Sequence, residues 1–140
     1  MQVGVGYEIW NDSSSYSGEY KNGKKNGIGY YIWPDGTSYK GEWKNNNMEG
    51  FGIYYWPNNR IFIGFWKEGK QNGVGKYIKD DIVKYGIWKD GKREKWFENE
   101  EEFLNSLDSE NKRFIEFFQW VTNKIKKYFD LDDNSERGKK

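Results

Sequence analysis

The 140-residue chain contains no cysteine and no histidine. Without cysteine it cannot form disulfides, thiolate nucleophiles or soft zinc ligands, and without histidine it lacks the commonest metal ligand and general base. Its glycine pairs lack the third glycine and the following helix of a dinucleotide-binding fingerprint. We therefore expect no catalytic residues, no metal site and no cofactor.

Long apolar runs and a large charge of one sign are also missing. No stretch approaches the roughly 18 apolar residues of a membrane span, and the start MQVGVGYEIW has neither the basic nor the apolar region of a secretory signal. The formal net charge of +1 is too small for strong attraction to a phosphate backbone, so we expect no nucleic-acid partner. These absences favour a cytoplasmic protein.

Aromatic residues and glycine are abundant. Eight Trp, eleven Tyr, nine Phe and 17 Gly coexist with 32% charged residues. Disordered chains do not have this composition, because they are poor in rings. The length suits one domain with an appendage, and the composition predicts rings packed close to a polar surface.

The chain repeats itself with a period of about 23 residues, which indicates a quasi-linear array. The segment YSGEYKNGKKNGIGYYIWPDG, residues 16–36, is followed by the near copy YKGEWKNNNMEGFGIYYWPN, and looser copies begin at Phe62 and Lys84. Within each copy, two alternating runs are separated by turn sequences such as Asn-Gly and Trp-Pro-Asp-Gly. Each copy therefore predicts a β-hairpin.

Over roughly residues 4–93 this pattern resembles the MORN repeat (membrane occupation and recognition nexus). The resemblance implies a mainly β fold, an elongated and twisted antiparallel array of β-hairpins with about nine or ten strands. It also implies a scaffold, often near membranes or the cytoskeleton, that binds partner helices or other copies of itself. Three turns depart from the pattern, at Asn46, Asn59 and Asp80–Asp81, and we expect them to be looser or of another type.

The chain divides into three parts. The array covers residues 1–97, with a partial unit at 4–15, units at 16–38, 39–61 and 62–83, and a partial unit at 84–97. A C-terminal amphipathic α-helical segment follows at 98–130, and the tail at 131–140 has the composition of a disordered end.

Period-two alternation predicts which side chains share a face of the sheet. Rings and glycines fall on one face, which we expect to be concave, because missing Cβ atoms leave pits for rings and let a sheet bend. Residual exposure there would offer an aromatic groove for a partner helix or peptide. The candidate partner-binding residues are Tyr16, Tyr20, Tyr31, Trp33, Tyr39, Trp43, Tyr54, Trp56, Phe62 and Trp66.

The opposite face carries an apolar stripe that would be a liability if it stayed exposed. Its members are Ile28, Ile32, Phe51, Ile53, Ile63, Phe65, Val74 and Ile78. We therefore expect a cover, and these residues are the candidate docking stripe for a helix.

The C-terminal segment supplies a candidate cover. Asn99 and Glu102 have the spacing of a capping box, and a break near Asp108–Ser109 separates a short helix at about 100–107 from a longer one. The apolar helix face consists of Phe114, Phe118, Val121, Ile125 and Tyr128. We expect it to pack on its own sheet, with swapping onto a second copy or capture of a partner as alternatives.

Together these features favour a non-enzymatic scaffold or adaptor that binds a protein partner, with homodimers as a further option. One alternative is a phospholipid-binding module that uses Lys21, Lys24, Lys25, Lys40 and Lys44. A second alternative is a small neutralising, immunity-type partner of another protein. A third is carbohydrate binding by the tryptophans.

Overall fold

The computed structural model describes residues 3–106, Glu116 and Asn123. Its strands are β1 (Val3–Ile9), β2 (Ser15–Lys21), β3 (Lys24–Ile32), β4 (Ser38–Lys44), β5 (Asn47–Trp56), β6 (Arg60–Lys67), β7 (Lys70–Lys79), β8 (Ile82–Lys89) and β9 (Lys92–Trp96), followed by helix α1 (Glu100–Ser106). Each strand pairs antiparallel with the next along the chain, in one sheet. The predicted array of β-hairpins is confirmed.

Turns of two kinds alternate along the array. The Asn22–Gly23 turn has φ angles of 53° and 79°, typical of the type I′ turn whose twist matches the flanking strands. Asn45–Asn46 has φ angles of 48° and 72°, so our expectation of a different turn at Asn46 was wrong. Asparagine keeps the same turn because it tolerates positive φ better than most residues with a Cβ. Asp80–Asp81 does differ, since it shortens the Trp-Pro-Asp-Gly loop to two residues.

Glycines face one another across the middle of the sheet. Gly41 pairs with Gly29 on one side and with Gly52 on the other. The ring of Tyr39 occupies the volume in which a Cβ of Gly52 would lie. The glycines therefore allow a ring to rest directly on the neighbouring backbone, as the sequence predicts.

Side chains alternate between two separate apolar clusters. On the glycine side, which we call the aromatic face, the buried members are Tyr16, Tyr39, Trp43, Phe62, Trp66 and Trp88. On the other side, which we call the aliphatic face, they are Ile28, Phe51, Ile53, Ile63, Val74, Phe97 and Phe103. The sheet thus has apolar side chains on both sides, in agreement with the predicted alternation.

Helix α1 packs on the aliphatic face near β8. The Asn99 side-chain oxygen accepts a hydrogen bond from the backbone N–H of Glu102 at 2.8 Å, so the predicted N-terminal cap is present. Phe103, the buried residue of α1, stacks on Tyr85 at 4.6 Å and packs edge-on against Phe97 at 5.6 Å between ring centroids.

Most of the predicted C-terminal segment cannot be compared with the structure. Glu116 and Asn123 are helical and exposed. The predicted apolar helix face and the tail at 131–140 lie outside the described residues; that helix face is Phe114, Phe118, Val121, Ile125 and Tyr128.

The contact between Tyr39 and Gly52 yields a stability prediction. In Gly52→Ala the new methyl group would overlap the Tyr39 ring, so we expect a loss of about 1–3 kcal/mol in the free energy of unfolding, measured by urea denaturation. Gly4→Ala is the matched control, because a Cβ there meets no atom within 4 Å. Equal stability of the two variants would show that the ring does not depend on the missing Cβ.

Candidate functional site on the aromatic face

An inner row of buried rings forms the floor of the aromatic face. Its members are Tyr16, Trp43, Tyr39, Trp66, Phe62 and Trp88, in spatial order. Successive ring centroids lie 4.7–5.6 Å apart with nearly perpendicular planes. Because rings from successive hairpins contact edge to face, this row holds each repeat to the next.

An outer row of rings lies beside the inner row, towards the loops that follow β3, β5 and β7. Its members are Trp10, Tyr31, Trp33, Tyr54, Trp56, Tyr77 and Trp96, all half-buried. Neighbouring centroids are 4.6–6.4 Å apart along the whole row. The outer row is therefore a continuous aromatic strip that keeps part of its surface in solvent.

The structure places nine of the ten predicted partner-binding residues in the two rows and Tyr20 beside them. Tyr16, Tyr39, Trp43, Phe62 and Trp66 belong to the buried inner row, and Tyr31, Trp33, Tyr54 and Trp56 to the outer row. Tyr20 is half-buried at the β1 end, where its hydroxyl donates a hydrogen bond to Glu8. Buried rings offer little area to a partner, so the outer row is the accessible part of the face.

The predicted partner-binding set lacks four rings that complete the two rows. Trp10 lies 23 residues before Trp33, and Tyr77 lies 23 after Tyr54, so the period itself could have found both. Trp88 follows Trp66 by 22 residues, the shortened period of the last unit. Trp96 has no such signal, because the array ends there.

Cationic side chains lie over rings of this face. The Lys25 ammonium is 5.2 Å from the Trp10 ring centroid and 5.5 Å from that of Tyr31, and burial lowers its pKa. Lys25 thus occupies the β1 end of the outer row.

The β6–β9 end carries further cations. The Arg60 guanidinium lies 4.7 Å from the Trp56 centroid, and Arg93 and Lys84 lie 4.4 and 5.3 Å from that of Trp96. This end of the outer row therefore combines aromatic surface with positive charge.

On the aliphatic face, seven of the eight predicted stripe residues belong to one apolar cluster or pack against it, and Ile32 lies outside that cluster. Ile28, Phe51, Ile53, Ile63 and Val74 are buried, and Ile32, Phe65 and Ile78 are half-buried. Lys40 reaches over the same face, with its ammonium 4.9 and 4.7 Å from the Tyr30 and Tyr55 rings, and burial lowers its pKa.

The Asn-Gly turns form a third surface, which is rich in lysine. Lys21, Lys24 and Lys44 line a surface cavity of about 630 Å³ between the first two turns. Glu42 and Glu49 also line it, so the cavity has mixed charge. The five lysines predicted for phospholipid binding do not form one surface, since Lys25 and Lys40 lie on opposite faces of the sheet.

The fold and the two apolar faces define a β-hairpin repeat array of the interaction-module class. The chain contains three MORN repeats, at residues 16–38, 39–59 and 62–81. Such repeats are commonly modules for interaction with proteins or membranes, and they are known as non-catalytic. A search of curated proteins found no match. Within the part of the chain that the structure describes, no helix is long and apolar enough to cross a bilayer.

The inner row also predicts how stability depends on alkaline pH. The Tyr16 and Tyr39 hydroxyls donate to the carbonyls of Glu19 and Glu42 at 2.8 and 3.0 Å, and burial raises the pKa of both phenols above the usual value of 10. A raised folded pKa means that the stability contribution is intact below pH 10. It is lost as the pH rises further, since ionisation then requires unfolding.

We expect the free energy of unfolding to fall above pH 10 by up to about 1.4 kcal/mol per pH unit for each of these tyrosines. Tyr16→Phe and Tyr39→Phe should each make the decline shallower, in urea denaturations between pH 9 and 12. Tyr7→Phe, which changes an exposed ring, is the control. An unchanged slope in both variants would contradict the role of the buried phenols.

Proposed function

We propose that this protein is a non-enzymatic interaction scaffold that binds a segment of a partner protein along the outer row. The observation that carries the proposal is the unbroken strip of seven half-buried rings from Trp10 to Trp96. Half-buried rings are already held in place by their neighbours, so a partner gains contact area at little entropic cost. We place the scaffold in the cytoplasm, because the chain lacks cysteine.

The dimensions of the strip suit a peptide or a helix. Nine strands at a spacing of about 4.8 Å span roughly 38 Å, or somewhat less once the sheet twists. An extended segment of about 11–12 residues or a helix of about 25 residues would cover that length. The partner in this proposal is therefore a linear element of a protein.

Charge favours an acidic segment. The aromatic face carries four cations over its rings, Lys25, Arg60, Lys84 and Arg93. Carboxylates near it include Glu8 at the β1 end and Asp35 in the loop after β3; burial and the charge of Asp35 together raise the pKa of Tyr54. Carboxylates of a partner would meet these cations beside exposed ring surface. The expected recognition element thus combines apolar residues with Asp or Glu.

We further propose that residues 107–130 cover the aliphatic face. Phe51 is 0% and Ile28 2% exposed, although β5 and β3 lie three and five strands from β8, on which α1 packs. On the aromatic face Tyr16 and Tyr39 reach the same burial under neighbouring rings. The aliphatic face has fewer large rings, so we assign the burial of Ile28 and Phe51 to a second layer. Helix α1 is the described part of this second layer, and it contacts the sheet at β8, so the cover over β3 and β5 in this proposal comes from the residues that follow α1.

The chain after α1 is long enough for this cover. From β8 to β3 is about 24 Å at the usual strand spacing. The 24 residues from 107 to 130 would extend about 36 Å as a helix, and they include the predicted apolar face. With the aliphatic face covered by its own chain, the aromatic face remains for a partner.

Binding is best tested with designed peptides. We would titrate fluorescein-labelled 12-residue peptides of Phe and Leu mixed with either Glu, Ser or Lys, and measure anisotropy. The Glu peptide should bind most tightly, and Trp33→Ala with Trp56→Ala should weaken it by about 10-fold or more. Val83→Ala is the control, since it removes an exposed apolar side chain from the other face of the sheet, away from β1.

A second candidate function, binding to anionic membranes, follows from the lysines of the turns. It predicts association with phosphatidylserine vesicles that Lys21→Glu, Lys24→Glu and Lys44→Glu abolish and that the tryptophan variants leave intact. Vesicle binding of this kind, with no peptide binding at about 1 mM, would replace the peptide proposal.

The cover is tested by a double-mutant cycle in the full chain. Phe51→Ala and Phe118→Ala should each destabilise the fold, and their effects should be non-additive by at least about 0.5 kcal/mol in urea denaturation. Glu116→Ala, at an exposed position, is the control partner for Phe51→Ala. Strict additivity of the Phe51 and Phe118 effects would contradict the contact between them.

A further inference from the structure

The outer edge of β1 lacks the devices that normally protect the edge of a sheet. Val3, Val5, Tyr7 and Ile9 on this strand are 63–72% exposed and point to the aliphatic face. The strand has no proline and no lysine, and Glu8 is its charged residue. An exposed, regular and apolar edge strand is a template for pairing with another strand.

The opposite edge of the sheet is protected. Four consecutive charged residues, Lys92, Arg93, Glu94 and Lys95, make up most of the short strand β9. The chain then turns back, where the Phe97 N–H donates to the Tyr85 carbonyl at 2.8 Å and α1 follows. The two edges therefore differ, and only the β1 edge offers an apolar surface beside a free backbone edge within the described residues.

We propose that β1 pairs antiparallel with β1 of a second copy, around a two-fold axis at Gly6. Val5 would then lie opposite Tyr7 of the second copy, and Val3 opposite Ile9. The two sheets would join into one sheet of eighteen strands, with the exposed side chains of both copies adjacent on the aliphatic side. The interface is isologous, as in most soluble dimers.

The glycine register of the sheet supports this axis. From β1 to β8, each pair of neighbouring strands puts one glycine opposite another, beginning with Gly6 opposite Gly18 and ending with Gly75 opposite Gly86. An axis at Gly6 places Gly6 opposite its own copy and continues the same row. An axis at Tyr7 would instead put Glu8 opposite Gly6. An axis at Val5 would keep a glycine, Gly4, opposite Gly6, but it would pair residues 3–7 alone, whereas the axis at Gly6 pairs the whole of β1.

Charge supports the same register. With the axis at Gly6, Glu8 lies opposite Gly4 of the second copy, so no carboxylate faces another across the new strand pair. A Cβ at Gly4 meets no atom within 4 Å, which leaves room beside the Glu8 side chain of the second copy. Val5 and Tyr7 form the kind of β-branched and aromatic cross-strand pair that stabilises sheets.

Solution mass tests the dimer. Light scattering of the full chain between about 1 and 200 µM should approach twice the chain mass of 16.8 kDa. Tyr7→Lys should raise the dissociation constant at least about 10-fold. Ile82→Lys is the matched control, because Tyr7 and Ile82 are both 63% exposed and Ile82 lies away from the β1 edge. A monomer throughout this range, or a dimer that Tyr7→Lys leaves intact, would overturn the proposal.

Cysteine pairing tests the register in a chain with no cysteine of its own. A mixture of Val5→Cys and Tyr7→Cys proteins should form an inter-chain disulfide faster than either variant alone, because these two positions face each other across the axis. Equal rates in the mixture and in the single variants would overturn the axis at Gly6. Because neither position lies on the aromatic face, failure of the dimer leaves the peptide-binding proposal untouched.

Discussion

The close approach of an aromatic ring to a glycine of the next strand is the contact on which the rest of this sheet depends. The Tyr39 ring fills the volume of a Cβ at Gly52, and Tyr16 and Phe62 do the same at Gly29 and Gly75. A ring can lie this low only where the neighbouring residue has no side chain. The position of each ring therefore requires glycine on the next strand, and the requirement recurs in each hairpin.

This contact also explains why the aromatic face has two rows of different exposure. The inner rings pack directly against the glycine backbone and contact one another edge to face, so they form a hydrophobic core. The outer rings lie nearer the strand ends, beside loops, and cover only the flank of the inner row. A sheet built this way has an aromatic strip that is rigid and still partly solvated, which is the property a binding surface needs.

Much of this organisation could be predicted from the sequence, because alternation and period are properties of the chain alone. The hairpins, their order and the separation of the two faces follow from them. Alternation assigns a side chain to a face but not to a depth, so it could not separate buried Trp43 from half-buried Trp33. The prediction of a different turn at Asn46 was wrong, because asparagine adopts the positive φ that the turn requires, as glycine does at Gly23.

Departures from the repeat indicate where the aliphatic face needs a second layer. In the first two units Glu19 and Glu42 accept hydrogen bonds from the N–H groups of Ile28 and Phe51, at 2.5 and 2.7 Å. The equivalent residues of the next two units are apolar, Phe65 and Ile87, and both pack against the aliphatic cluster.

Glu19 and Glu42 accept from backbone N–H groups of the next strand, whereas Phe65 and Ile87 add apolar contact area to the aliphatic cluster. The change from carboxylate to apolar side chains leads towards β8, which α1 contacts through Phe103. The same face becomes exposed again at Val5 and Tyr7 on β1. One end of the array is therefore closed by its own chain, while the other end presents an apolar strand edge on which an additional strand can form hydrogen bonds.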